Sequence, residues 1–214
     1  MKYLILLGFL ASVSFILNCQ DNQTRPNVSD QFVVMIDPAH GGPDPGFISS
    51  NWIFEKDIVL QITKKLASQL EKGGFKVLLT RSADHFLSIQ ERIQLVKKIR
   101  PAVFISLHTN ATKDSSKQGL YTYYQADNPQ SILLDSLFHT VNRELAFMSD
   151  NGSQPASFYI LTQSPAPSLM IDVGYLSNPA ESTRLTDSCF QEQIARVIHE
   201  ALVRYHSQVA TAQK

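Results

Sequence analysis

Cysteine is almost absent: two residues in 214, Cys19 and Cys189. So small a number excludes a disulfide framework as the source of stability. Surplus charge is absent too, since 19 Lys and Arg balance 19 Asp and Glu. Without a basic excess there is no electrostatic footprint for nucleic acid, and none is expected as a partner. There is no G-x-S-x-G elbow, which argues against a serine nucleophile of the α/β-hydrolase kind. No internal repeat is present. The remainder is 43% hydrophobic and 18% charged, a composition suited to one soluble globular domain with a sizeable core.

The chain opens "MKYLILLGFLASVSFILNCQ". One base, Lys2, precedes an apolar run from Tyr3 to Leu17, shorter than the roughly 20 residues that span a bilayer. It fits the apolar region of an export signal over residues 1–18. The run ends at "ILNC", which resembles the lipobox of bacterial lipoproteins, although Asn18 stands where a small residue is usual. An ordinary signal with a chance cysteine remains the alternative. Lipidation of Cys19 would attach an exported, periplasmic protein to a membrane, and Gln20 leans towards the outer one. Residues 19–30 are polar and suit a tether. Residues 31–207 hold one domain, and residues 208–214 a C-terminal tail. Cys189, next to Phe190, is expected to be a buried, inert thiol.

Within the domain, strands alternate with helices. "FVVMID", "FKVLLT", "AVFISL", "GLYTYY", "SFYIL" and "LMIDV" have the short apolar, β-branched character of strands. Between them, Glu55 to Lys72 places Ile58, Ile62, Leu66 and Leu70 on one helical face, and Gly73 and Gly74 stop it. Ser88 with Glu91 three residues on forms a capping-box pattern, ahead of an apolar face of Ile89, Ile93 and Val96. Ser131 to Phe147 has helical spacing. Asn178 can cap a helix with Pro179 at its first position, and Gln191 to Ser207 closes the domain. This alternation predicts a three-layer α/β/α domain around a mostly parallel twisted sheet of about six strands.

In such sheets functional groups collect beyond the carboxyl ends of the strands. His40 follows the first strand, His108 follows "AVFISL", and Asp172 lies near the end of "LMIDV". Glu55 begins the first long helix, whose N-terminus belongs to the same rim. Two His and a Glu are a known ligand set for catalytic zinc, and a second carboxylate is what such chemistry needs as a proton shuttle. Each residue also has a plainer role. Either His can be an ordinary hydrogen-bonded side chain, Glu55 can favour the positive end of a helix dipole, and Asp172 can form a turn before Gly174.

Five ordered motifs narrow the choice. "VVMIDPAHGGPDPG", "EKDIVL", "LLTRSADHFLSIQER", "VFISLHTNA" and "LMIDVGYLSN" together resemble the zinc-dependent N-acetylmuramoyl-L-alanine amidases. These are bacterial cell-wall enzymes, and the resemblance covers nearly all of residues 32–205. It implies Zn2+ held by His40, Glu55 and His108, and peptidoglycan as substrate. It implies hydrolysis of the amide between the lactyl group of N-acetylmuramic acid and L-alanine. The family's catalytic Glu falls on Asp172. Arg81, Asp84 and Arg92 of the third motif are expected to hold loops and helices together, and Asn110 to orient the site or bind substrate.

Two departures stand out. Ala39 replaces the Gly before the metal-binding His, a mild change if its φ is negative. Asp172 is shorter than Glu by one methylene, about 1.5 Å of reach. The alternative function is therefore a weak or inactive amidase-like protein that binds peptidoglycan or regulates wall turnover. Some family members carry an insert whose helix blocks the zinc site. Here Phe138 to Leu169 is short, so an open site is expected.

Overall fold

The computed structural model describes residues 32–212. The export signal, Cys19 and the tether lie outside them. In chain order the elements are β1 (Val33–Pro38), α1 (Glu55–Lys72), β2 (Lys76–Leu79), α2 (Ile89–Ile99), β3 (Val103–Asn110) and β4 (Leu120–Tyr124). Then follow α3 (Pro129–Leu145), β5 (Asp150–Pro155), α4 (Tyr159–Thr162), β6 (Ser168–Tyr175), α5 (Pro179–Leu185) and α6 (Ser188–Ala212). No described helix is long and apolar enough to cross a membrane.

The six strands form one sheet in the order β2-β1-β3-β6-β4-β5. All neighbours are parallel except β4 and β6. Strand alternation divides the side chains between two faces. On one, Val34, Ile36, Ile105, Leu107, Leu169 and Ile171 pack with α1, α3 and α6 to form the main core. On the other, Met35, Phe104 and Met170 meet α2 and α4 through Ile93, Val96, Ile160 and Leu161. This second layer covers only part of its face. Towards the carboxyl ends of β1, β3 and β6 the same face carries polar residues instead: Asp37, Ser106, His108 and Asp172.

The helix boundaries follow from local chemistry. Ser88 and Glu91 form the expected reciprocal capping box at α2. Asn178 accepts hydrogen bonds from Ala180 N and Glu181 N at 2.9 and 3.0 Å, with Pro179 at the first turn of α5. Several expectations need correction. The "SFYIL" stretch is not a strand: its second half is the one-turn α4. The strand of this region is the earlier "DNGSQP" of β5. β5 occupies a sheet edge, where a strand needs no continuous apolar run. Cys189 is exposed, because α6 starts at Ser188 and turns Phe190, not its neighbour, into the core. α6 also continues beyond Ser207 to Ala212. Ile89 is 39% exposed while Arg92 of the same helix is buried, for reasons that belong to the site.

β4 and the edge strand β5 are tied to α3 by a polar cluster. His139 Nδ1 lies 2.7 Å from Asp150 Oδ1, and Nε2 lies 2.7 Å from Thr122 Oγ1 and 3.5 Å from Asp135 Oδ1. Asp135 also accepts from Ser153 Oγ, and Arg143 reaches the far oxygen of Asp150. Burial disfavours the imidazolium, but the two carboxylates outweigh it and push the His139 pKa up. A raised His pKa contributes stability that is full below the unfolded value, about 6.5, and lost as pH rises through the folded value. The deficit in thermal midpoint of His139→Asn relative to wild type is therefore expected to be larger at about pH 5.5 than at about pH 8.5. An equal deficit at both would contradict a charged His139.

Candidate metal centre

His40, Glu55 and His108 arrive at one point from three segments. His40 sits two residues past β1 in left-handed backbone, φ 60°. Ala39 before it is not in that region, so its methyl group is accommodated as expected. Glu55 is the first residue of α1, and His108 lies in β3 near its carboxyl end. One donor atom from each of the three lies within 4.8 Å of the other two. His40 Nε2 and His108 Nδ1 are each 3.2 Å from Glu55 Oε1. Tetrahedral zinc with bonds of about 2.0–2.1 Å sets neighbouring ligand atoms about 3.3 Å apart. The donor set and its spacing therefore fit such an ion.

His40 and Glu55 are held from behind. His40 Nδ1 is 2.9 Å from Asp44 Oδ2, which leaves Nε2 facing the other donors. Glu55 Oε1 accepts from Thr109 N, and Oε2 from Phe47 N, both at 2.9 Å. Gly46 closes the loop at φ +65°, where a Cβ would stand 2.6 Å from His40 Cδ2 and 2.7 Å from Glu55 Oε2. Only a residue without a side chain leaves His40 and Glu55 their places.

The backbone that carries His40 is gripped by arginines. Arg92 donates to Pro38 O, to His40 O at 2.7 Å and to the Asp37 carboxylate. Arg81 donates to Pro38 O and to Ala39 O. These carbonyls need donors, which is why Arg92 lies buried beside Ile93 and Val96 on the inward side of α2. Asp84 accepts from Gly42 N and from Lys56. All three residues therefore hold the loop, as expected. Asn110 accepts from Ala111 N at 2.8 Å, a local bond in the chain that leaves β3.

Asp172 is the register partner of His108 across β3 and β6, so the two side chains share a face. It is 6% exposed. Burial pushes its pKa up to about 6; the nearby His108 works against this and the Glu55 charge adds to it. Glu55 goes the other way. Burial raises it, but hydrogen bonds and charge from His108 and His40 outweigh that and hold its carboxyl far below the usual range. His40 is raised, because Glu55 and Asp44 overcome its desolvation. A negative field that favours a proton here also favours a metal cation. Glu55 and Asp172 thus differ in character: the pKa of one is lowered, that of the other raised. The rings of His40 and His108 keep 23% and 24% side-chain exposure. α4 packs beneath the sheet face on α2 and does not cover them.

The sequence profile described as N-acetylmuramoyl-L-alanine amidase matches residues 34–204. The chain belongs to this amidase family. The "probable cell wall amidase LytH" of Staphylococcus aureus is 32% identical over 190 residues, spanning 87% of this chain but 62% of that protein. The chain thus matches less than two thirds of that relative's length. Among solved structures, the N-acetylmuramoyl-L-alanine amidase AmiC2 of Nostoc punctiforme superposes with a TM-score of 0.77 at 31% identity. That match covers 83% of this chain and 98% of the other. The CwlD amidase of Clostridioides difficile, solved in complex with the GerS lipoprotein, gives 0.78 at 30% identity, covering 82% and 98%. The amidase fold, with its six-stranded mostly parallel sheet, is therefore shared across the whole described domain.

Asp44 and Gly46 were not singled out in the sequence. Both stand in the "GGPDPG" loop, whose richness in Gly and Pro gave a turn but not a role for either. Glu181, in the first turn of α5, also has a role beyond its helix. Its carboxylate accepts from Gly119 N and Tyr175 N, fastening the end of β6 to the segment before β4.

Proposed function

We propose that this chain is a zinc-dependent amidase that hydrolyses the amide between the lactyl group of N-acetylmuramic acid and L-alanine of the stem peptide. The observation that carries this reading is the meeting of His40, Glu55 and His108 beside a buried acid, Asp172, on one strand-end rim. His40, Glu55 and His108 would hold Zn2+, which would supply a Lewis acid able to polarise a carbonyl and to lower the pKa of water to about 7. Asp172 accepts the proton of the attacking water and returns it to the departing alanine nitrogen. Burial raises its pKa, which favours uptake of a proton. Asp44 keeps Nε2 of His40 free for the metal by engaging Nδ1.

Asp172 in place of the longer Glu favours a second reading, a binding protein of the same fold with little turnover. Incubation with purified peptidoglycan separates the two. The amidase reading expects stem peptides bearing a new N-terminal alanine, with glycan strands left intact. No release from wild type, or from an Asp172→Glu variant that binds zinc, would sink it. Release from the Glu variant alone would establish the second reading.

Asp44→Ala is expected to weaken zinc binding about 10–100-fold while the fold is kept, as read by competition with a chromophoric chelator. Unchanged affinity would remove Asp44 from the account. The sequence of the first 20 residues supports export and attachment through a lipid on Cys19. Cys19→Ala should move the protein from the membrane fraction to the soluble periplasmic fraction, and an unchanged distribution would contradict the anchor.

A further inference from the structure

Beside Asp172 the sheet carries aromatic rings that neither the metal cluster nor the main core requires. β4 runs antiparallel to β6, with Tyr121 the register partner of Asp172 and Tyr123 that of Met170. Tyr121 and Tyr123 therefore lie on the Asp172 face. Their ring centroids are 5.0 Å apart, and Tyr123 is 5.0 Å from Phe158 in an edge-on contact. Tyr123 packs against the smaller core cluster around Met170, which fixes the row in place. Its outer end is open: Phe158 is 43% exposed and Tyr159 46%. Burial raises the pKa of the Tyr123 phenol, and the charge of Asp172 adds to it. The hydroxyl and the acid thus share one electrostatic environment.

This ledge is uncharged, and its position is one-sided. The sheet order puts β4 and β5 on one side of the central pair β3 and β6, and β1 and β2 on the other. The charged residues paired at this rim, Asp44, Lys56 and Asp84, belong to the segments after β1 and β2, and Lys113, Asp114 and Lys117 stand on the exposed loop between β3 and β4, so the row itself is the uncharged stretch. A stem peptide brings carboxylates and amines. An N-acetylated glycan whose lactyl carboxyl is in amide linkage brings no charge. Its pyranose rings have apolar C–H faces edged by hydroxyl and acetamido groups, the complement of tyrosine rings with hydroxyl tips.

We propose that the row Tyr121, Tyr123 and Phe158, continuous with Asp172, is the seat of the glycan strand, binding the neutral N-acetylated sugars next to the bond that is cut. The assignment rests on the amidase reading, but its test does not need hydrolysis. A peptide-free tetrasaccharide of N-acetylglucosamine is titrated into the whole protein and followed by NMR shifts. Saturable binding is expected, with shifts at Tyr123 and Phe158. Tyr123→Ala and Phe158→Ala should each weaken it about 3–10-fold, while Tyr123→Phe, which keeps the ring, retains most of it. With peptidoglycan fragments the Ala variants should raise KM by a similar factor and leave kcat nearly constant. Circular dichroism checks that each variant is folded. Absent binding by wild type, or binding indifferent to both Ala variants, overturns the proposal. So does a free stem peptide that depends on these rings where the tetrasaccharide does not. Glycan binding in a protein that releases no peptide would leave the ledge standing and remove the amidase reading. Peptide release with no glycan dependence on the ledge would do the reverse.

Discussion

Glu55→Gln is expected to empty the metal centre and cut peptide release by about 10³-fold or more, since Lewis-acid stabilisation is worth several kcal/mol and each 1.36 kcal/mol is tenfold. The side chain is 5% exposed and its Oε1 faces both ring nitrogens at 3.2 Å. Glutamine has nearly the same volume, so packing should survive. What it loses is the anion, and with it the field that gathers a cation between two imidazoles. Its amide also cannot present oxygen both to the metal and to Phe47 N and Thr109 N, which the two carboxylate oxygens now satisfy. One end of the amide must face a donor with a donor. Metal analysis of the purified variant should find well under one zinc per chain, with an unchanged far-UV spectrum. Full zinc occupancy with unchanged turnover would show that Glu55 is not a ligand.

Asp172→Asn is expected to separate binding from chemistry. His40, Glu55 and His108 remain, so zinc should be retained. Asparagine cannot take up a proton, and the loss of a positioned acid/base typically costs about 10²–10⁴ in rate. The fall should appear in kcat rather than KM, because the residue acts on the reacting proton and not on the bound sugars. The Asp172→Glu variant, longer by about 1.5 Å, should stay far more active than the Asn variant because it keeps a carboxyl at the rim. Equal activity of wild type and Asp172→Asn would contradict the proton-shuttle role.

Much of this site could be read from the chain because each piece had a strong local cause. Glu55 was placed at a helix start by the apolar spacing of α1, and Gly73 with Gly74 marked its other end. His108 and Asp172 follow buried apolar runs, so their arrival at the strand ends needed only a parallel β3 and β6. Other parts had no local cause to read. β5 is polar because it is an edge, and its pairing with β4 depends on that strand having turned antiparallel. The His139 cluster joins residues from α3, β4 and β5 that meet only once that edge is built. Arg92 sits on an ordinary amphipathic helix, and its burial is imposed by the carbonyls of the His40 loop. Cys189 and Phe190 are neighbours, and nothing in their order says which of them the start of α6 turns inward.

The most direct test joins metal and cleavage in one titration. Protein stripped with a chelator is supplied with zinc in steps, and new N-terminal alanine released from peptidoglycan is measured at each step. The account predicts no release from the stripped protein and a rise that levels off at one zinc per chain. It also predicts no recovery in Glu55→Gln at the same zinc levels. Undiminished release from the stripped protein would contradict it.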